Sequence, residues 1–89
     1  MNNLIFTAQA FKEYQYWQTQ DKKTLKRINQ LLNDTLRNPN DTGIGKAERL
    51  KRDLSGFCSR RIDDSNRLIY RVLADGNIEI IHCQGHNED

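Results

Sequence analysis

Near the C-terminus, His82-Cys83-x-x-His86 gathers two imidazoles and a thiol within five residues, a set that invites a metal-ion reading. The residues around it argue otherwise. The run from Ile78 to Cys83 is rich in β-branched residues and reads as a strand. On a strand His82 and His86 stand roughly 13 Å apart at ~3.3 Å per residue, while Cys83 points the other way. No metal and no cofactor are expected, and Cys58 and Cys83 read as small, half-buried hydrophobes. A second combination survives the same test. Asp75-Gly76 separates Arg67 to Leu73 from Ile78 to Cys83, the signature of a two-residue hairpin loop. With those two residues as the loop, Arg67 lies opposite Gln84, and His86 returns to the face carrying Arg67, Ile69 and Arg71. A one-residue slip would undo this. An imidazole can carry a proton, and a guanidinium can grip an anion through two parallel hydrogen bonds.

The elements that would position these groups are legible on both sides. Leu4-Ile5-Phe6 reads as a short strand, followed by Thr7 as a helix cap. Ala10, Phe11, Tyr14 and Trp17 recur at helical spacing to about Gln20. Asp21 caps a second helix whose apolar stripe is Leu25, Ile28, Leu32 and Leu36. Pro39 stops it, and Asn38 to Gly45 has turn chemistry. Beyond Gly45 the period changes: Phe57 to Ile62 joins the two runs above as a third strand candidate, separated from the next by Asp63-Asp64-Ser65-Asn66. The expected fold is α+β, two N-terminal helices packed on an antiparallel β-sheet. The first hairpin leaves two registers open. A four-residue loop puts Arg60 on the Arg67 face, and a bulge puts Arg61 there.

The chain has 89 residues, 36% hydrophobic and 29% charged, which fits one compact domain spanning 1–89 without linkers or repeats. A domain this small buries only about 60% of its unfolded surface, so a bound partner or a second copy would help it. Leu4-Ile5-Phe6 is too short for a signal peptide, and no run approaches the roughly 20 apolar residues of a membrane span. A soluble cytoplasmic protein is expected. The net charge is only +2 but unevenly spread. Lys22, Lys23, Lys26 and Arg27 cluster at one helix start; Lys46, Arg49, Lys51, Arg52, Arg60, Arg61, Arg67 and Arg71 concentrate in the second half. Such clustering suits a polyanion such as RNA.

Several segments together resemble the Txe/YoeB toxins of the wider RelE superfamily. Tyr14-x-Tyr16-Trp17-Gln18, Asp21-Lys22-Lys23 and Lys26-Arg27-Ile28-Asn29 are similar to that family's helical hairpin. Gly43-Ile44-Gly45-Lys46-Ala47-Glu48-Arg49-Leu50-Lys51 is similar to its Gly-x-Gly-Lys-Pro-Glu-x-Leu-Lys segment. Leu54-Ser55-Gly56-Phe57-Cys58-Ser59-Arg60-Arg61-Ile62 and Arg67-Leu68-Ile69-Tyr70 follow in the family's order. The resemblance implies a RelE/YoeB-like microbial RNase fold and a ribosome-dependent mRNA endonuclease. Such an enzyme cuts in the A site through attack of the ribose 2′-hydroxyl and is neutralised by a YefM-type antitoxin; homodimers occur in the family. By the same resemblance Glu48 takes the place of the general base, Arg67 of the phosphate-stabilising arginine and His86 of the general acid. Lys51 and Arg61 fall on positions contributing positive charge around the reacting phosphate. On the residues alone each has a plainer reading: Glu48 as a surface carboxylate paired with Lys46 or Arg52, Arg67 as a strand-edge charge, His86 as a tail residue. Tyr14, Tyr16 and Trp17 read as packing residues.

The chain departs from the family at its end. Asn87 stands where the family has a tyrosine beside the histidine, in the RNA-contacting set, and an amide has neither ring nor phenol. Gly85 replaces a second aromatic, Glu88 and Asp89 add negative charge, and Ala47 replaces the usual proline. Two explanations of Asn87 stand side by side: a natural toxin of weaker or altered cleavage, or a detoxifying substitution. The expectation is retained fold, ribosome binding and antitoxin binding with reduced cleavage. A non-catalytic RNA- or ribosome-binding module is the alternative.

Overall fold

The structure, a computed structural model, describes residues 2–85. His86 and Asn87 therefore lie outside the described residues. Strand β1 (Leu4–Phe6) leads into helix α1 (Ala8–Gln20) and helix α2 (Lys22–Arg37). Strands β2 (Glu48–Arg49), β3 (Cys58–Arg61), β4 (Arg67–Val72) and β5 (Ile78–His82) follow, with a 3₁₀ turn at Arg52–Leu54 between β2 and β3. Both expected caps form. The Thr7 hydroxyl accepts from the Ala10 amide at 3.1 Å, and the Asp21 carboxylate accepts from the amides of Lys23 and Thr24. Asp21 is thus the whole connection between the helices, closing α1 through its own amide to the Trp17 carbonyl and opening α2 with its side chain.

The sheet has five strands in the order β1-β5-β4-β3-β2. It is mixed rather than antiparallel throughout, because β1 runs parallel to β5, with Leu4 opposite Ile78 and Phe6 opposite Ile80. A parallel neighbour needs a long crossover, and the stretch from α1 to β4 provides it. Strand β2, which the sequence does not announce, adds two residues at the other edge, Glu48 opposite Ser59 and Arg49 opposite Cys58. The helices cover one face of the sheet. Ala10, Trp17, Ile28, Leu31 and Leu32 pack there against Leu68, Tyr70, Ile78, Ile80 and Cys83. Leu31 joins the expected stripe of α2 because a core-facing helical stripe is wider than one row. Phe11 leaves the expected stripe of α1: one position past the buried Ala10, it turns outward and is 52% exposed. Both cysteines are more deeply buried than half, Cys58 at 8% and Cys83 at 0% exposure, and burial raises both thiols, that of Cys83 to about 12. No helix among the described residues is long and apolar enough to cross a membrane.

The register of the β4–β5 hairpin departs from expectation twice, and the departures cancel. The loop holds three residues: the Leu73 amide donates to the Asn77 carbonyl, the Gly76 amide donates back to Leu73, and Gly76 takes φ +88°. Val72 accordingly faces Ile78. A bulge then skips Ile81 between the pairs Tyr70–Ile80 and Ile69–His82. Past the bulge Ile69 faces His82, as a two-residue loop without a bulge would have it. In the β3–β4 hairpin Arg61 faces Arg67 and Arg60 faces Leu68, which settles the open alternative in favour of Arg61 on the Arg67 face.

Candidate active site

The face of the sheet turned away from the helices carries the residues marked for chemistry. Glu48 lies opposite Ser59, Ser59 opposite Ile69, and Arg61 opposite Arg67, so cross-strand pairing puts Glu48, Ser59, Arg61, Arg67 and Ile69 on one surface. Glu48 is exposed, and among the described residues it makes neither of the ion pairs, with Lys46 or Arg52, that its plainer reading requires. Lys51 is exposed in the segment leading from β2 to the 3₁₀ turn. Arg61 and Arg67 form a cross-strand pair of like charges, an arrangement that costs stability unless anions or dipoles face it. Arg61 is ion-paired with Asp64. The Arg67 guanidinium donates through Nη1 to the carbonyls of Asp63 at 2.6 Å and Asn66 at 3.1 Å.

The chain beyond β5 is drawn to this same end of the sheet. The Arg67 amide donates to the Gly85 carbonyl at 2.8 Å, and the Gly85 amide donates to Asn66 Oδ1 at 2.8 Å. Gly85 directly precedes His86, whose own position is outside the described residues. A hollow of about 330 Å³ is walled by Leu54, Phe57, Ile69 and Ile81 and lined also by His82, Gln84 and Gly85. Arg71 lies over the Phe57 ring, 5.7 Å from its centroid, and pairs with Glu79.

Three features of the surroundings are not announced by the sequence. Glu13, 7% exposed in α1, accepts the Cys83 amide at 2.7 Å on Oε1 and meets His82 Nδ1 at 3.2 Å on Oε2. Trp17 Nε1 donates to the Cys83 carbonyl at 2.9 Å. Together they fix the end of β5 by holding both the amide and the carbonyl of Cys83, and their signal in the sequence is a glutamate placed between Ala10 and Trp17 on the buried stripe. His82 and Cys83, in the expected sense, are directed apart: His82 is exposed, whereas Cys83 Sγ approaches the Ala10 carbonyl at 3.7 Å inside the core. The third feature is Arg60, which belongs by type to the basic cluster yet is fully buried on the helix side of the sheet and paired with Asp34. It is withdrawn from any surface that could meet RNA. Tyr14 donates to Asn29, and Tyr16 packs edge-on against Trp17, in keeping with packing roles for these rings.

Burial by itself would push the Asp34 carboxyl up. The hydrogen bonds from Arg60 and from the Ile44 amide outweigh it, and the carboxyl is held below the ordinary carboxylate range. A group whose folded pKa is depressed adds stability that is complete above its unfolded value, about 3.9, and is lost as pH falls through the folded one. Asp34→Asn should therefore destabilise at neutral pH and lose less stability than the parent on acidification. Urea midpoints at neutral pH and below about pH 3.9 check this.

Comparison with known proteins agrees with this architecture. Residues 6–87 match the family described as YoeB-like toxin of bacterial type II toxin-antitoxin system. The chain is 46% identical to Toxin YoeB of Escherichia coli K12 over 83 residues, covering 93% of this chain and 96% of that one. A YoeB dimer from Staphylococcus aureus superposes with a TM-score of 0.87 at 45% identity, covering 97% of this chain and 98% of that one. The YoeB chain of a heterotetrameric YoeB-YefM toxin-antitoxin complex from the same organism gives 0.86 at 46% identity, with 98% and 99% covered.

Proposed function

This chain belongs to the YoeB-like toxins of bacterial type II toxin-antitoxin systems, and from that premise we propose that it is a ribosome-dependent mRNA endoribonuclease. The observation that carries the reading is the shared outer face: a carboxylate at Glu48 and a facing pair of guanidinium groups at Arg61 and Arg67, with Gly85 bonded to the Arg67 amide. At rest Asp64 and the Asp63 and Asn66 carbonyls offset these two like charges, and in action an anion would draw on the same guanidinium groups. The backbone phosphate of RNA supplies that anion, and Lys51 adds to the field.

Cleavage by the neighbouring 2′-hydroxyl needs three services. Glu48 removes the hydroxyl proton. Arg67, with Arg61 and Lys51, stabilises the charge that builds on the phosphorane. His86, the residue after Gly85, protonates the departing 5′-oxygen. The P–O5′ bond breaks as the P–O2′ bond forms, leaving a 2′,3′-cyclic phosphate and a 5′-hydroxyl. A carboxylate, a guanidinium and an imidazole suffice for this, so no metal or cofactor enters. Asn87 lies beside the histidine in the RNA-contacting set and lacks the ring and phenol of the family's tyrosine, which attenuates the reaction. The whole chain, 1–89, works as one toxin domain in the cytoplasm, held silent by a YefM-type antitoxin such as the one seen with its Staphylococcus relative, and able to pair with a second copy as that relative does.

The chemistry of the cut ends tests this mechanism. After cleavage on programmed ribosomes, polynucleotide kinase should label the downstream fragment without prior phosphatase treatment, and Asn87→Tyr should raise its yield. A downstream fragment carrying a 5′-phosphate would contradict attack by the 2′-hydroxyl. The departure at Asn87 also supports a second reading, a ribosome-binding module that has lost cleavage. It predicts that Glu48→Gln changes nothing measurable in binding or in mRNA integrity.

A further inference from the structure

We propose that buried Arg60, acting with Asp34 and Tyr70, is the positioning group for Glu48, an inference that rests on the endonuclease reading above. Glu48 has little to hold it directly. Its strand is two residues long and lies at the sheet edge, and the chain reaches it through an irregular stretch that begins after α2. That stretch is wrapped around one guanidinium. Arg60 Nε donates to Tyr70 Oη at 3.1 Å, Nη1 to Asp34 Oδ2 at 2.5 Å and to the Ile44 carbonyl at 3.2 Å, and Nη2 to the Thr42 carbonyl at 3.0 Å and to that of Asn38. All the donors an arginine possesses are engaged.

The partners extend the hold. Tyr70 Oη passes a hydrogen bond to the Asn40 carbonyl at 3.1 Å, so alternate carbonyls from Asn38 to Ile44 are bound from inside. Asp34 Oδ2 also accepts the Ile44 amide at 3.0 Å, and the Arg61 amide donates to the Gly45 carbonyl at 2.6 Å. The fit leaves no space at Gly43. At φ +108° a Cβ there would collide with the Asp34 carboxylate and stand 2.8 Å from Arg60 Nη1. From Gly45 only Lys46 and Ala47 intervene before Glu48, so the placement of the carboxylate depends on the clamped loop together with the short pairing of β2 to β3.

A buried ion pair is a weak source of net stability compared with apolar residues of the same shape. What only arginine supplies here is the simultaneous hold on several carbonyls. Lysine keeps the charge but has three donors and no planar fork, and cannot reproduce it. Because misplacement by about 1 Å can cost about 10²-fold in rate, a loosened loop should be felt in the chemical step rather than in binding.

The test compares the parent chain with Arg60→Lys and Tyr70→Phe by two readouts. One is amide hydrogen exchange over 38–48 and at Arg61; the other is single-turnover cleavage of a defined mRNA on programmed ribosomes across toxin concentrations. In Arg60→Lys the Ile44 and Arg61 amides should exchange faster, and the maximal rate should fall about 10²-fold while the half-saturating concentration stays near that of the parent. Tyr70→Phe should shift both readouts the same way by less, and it decides the matter alone if Arg60→Lys does not fold. A loosened loop with parental cleavage, or an unchanged loop in a folded Arg60→Lys, overturns the proposal. So does a rate loss that comes wholly from weaker ribosome binding. A parent chain that does not cleave sinks the endonuclease reading and the positioning role with it, while exchange still reports separately whether Arg60 clamps the loop.

Discussion

Glu48→Gln should lower the single-turnover rate of mRNA cleavage on ribosomes by about 10²–10⁴-fold, the range over which a general base contributes. The amide has nearly the volume of the carboxylate and can still accept a hydrogen bond, but it cannot take the 2′-hydroxyl proton. Glu48 is exposed at the sheet edge and unpaired among the described residues, so the substitution should leave folding and unfolding midpoint unchanged within about 0.5 kcal/mol. Binding to ribosomes should persist or tighten slightly, because one negative charge leaves a surface that must approach phosphate. A rate loss accompanied by a matching loss of binding would instead make Glu48 a docking residue.

Arg67→Lys should be nearly as severe, with a rate loss of about 10²–10³-fold, comparable to removing one preorganised donor from an oxyanion site. The charge remains, but the bidentate fork is gone. The same substitution removes the bonds from Nη1 to the Asp63 and Asn66 carbonyls, so some stability should be lost as well, about 1 kcal/mol. Arg67→Lys and Arg61→Lys are therefore informative together. Arg61 faces Arg67 but is engaged with Asp64 in a solvent-exposed turn, and its replacement should cost less activity and almost no stability. Equal losses at the two positions would contradict the assignment of the phosphate to Arg67.

How much of this could be read from residues alone depends on whether the cause is local. The helices, their caps at Thr7 and Asp21 and the three long strand runs are set by periodicity and by groups two or three residues apart, and they appear where expected. The parallel pairing of β1 with β5 is not local: nothing within Leu4-Ile5-Phe6 states which strand will receive it. Strand β2 is too short for any period to show. The Asp75-Gly76 turn is correct in place and one residue short in size, and the compensating bulge at Ile81 arises from the junction of two registers rather than from a turn residue.

The candidate site divides along the same line. That Arg61 rather than Arg60 shares the Arg67 face follows from a one-residue difference in loop length, which leaves both registers open until the pairing is seen. Glu48 stands out by family resemblance, and its residue context alone favours a surface carboxylate. The burial of Arg60 has no local cause in the sequence. A buried arginine is rare unless all its donors are satisfied, and three of its five acceptors are carbonyls of a loop more than a dozen residues away, which carry no side-chain signature.

Toeprinting of a defined mRNA on bacterial ribosomes, with the parent chain and Glu48→Gln side by side, tests the account most directly. Cuts within the A-site codon by the parent, absent or nearly absent with Glu48→Gln and absent from free mRNA, are the predicted result. A folded, ribosome-bound parent that leaves the mRNA intact, or equal cutting by both proteins, would contradict it.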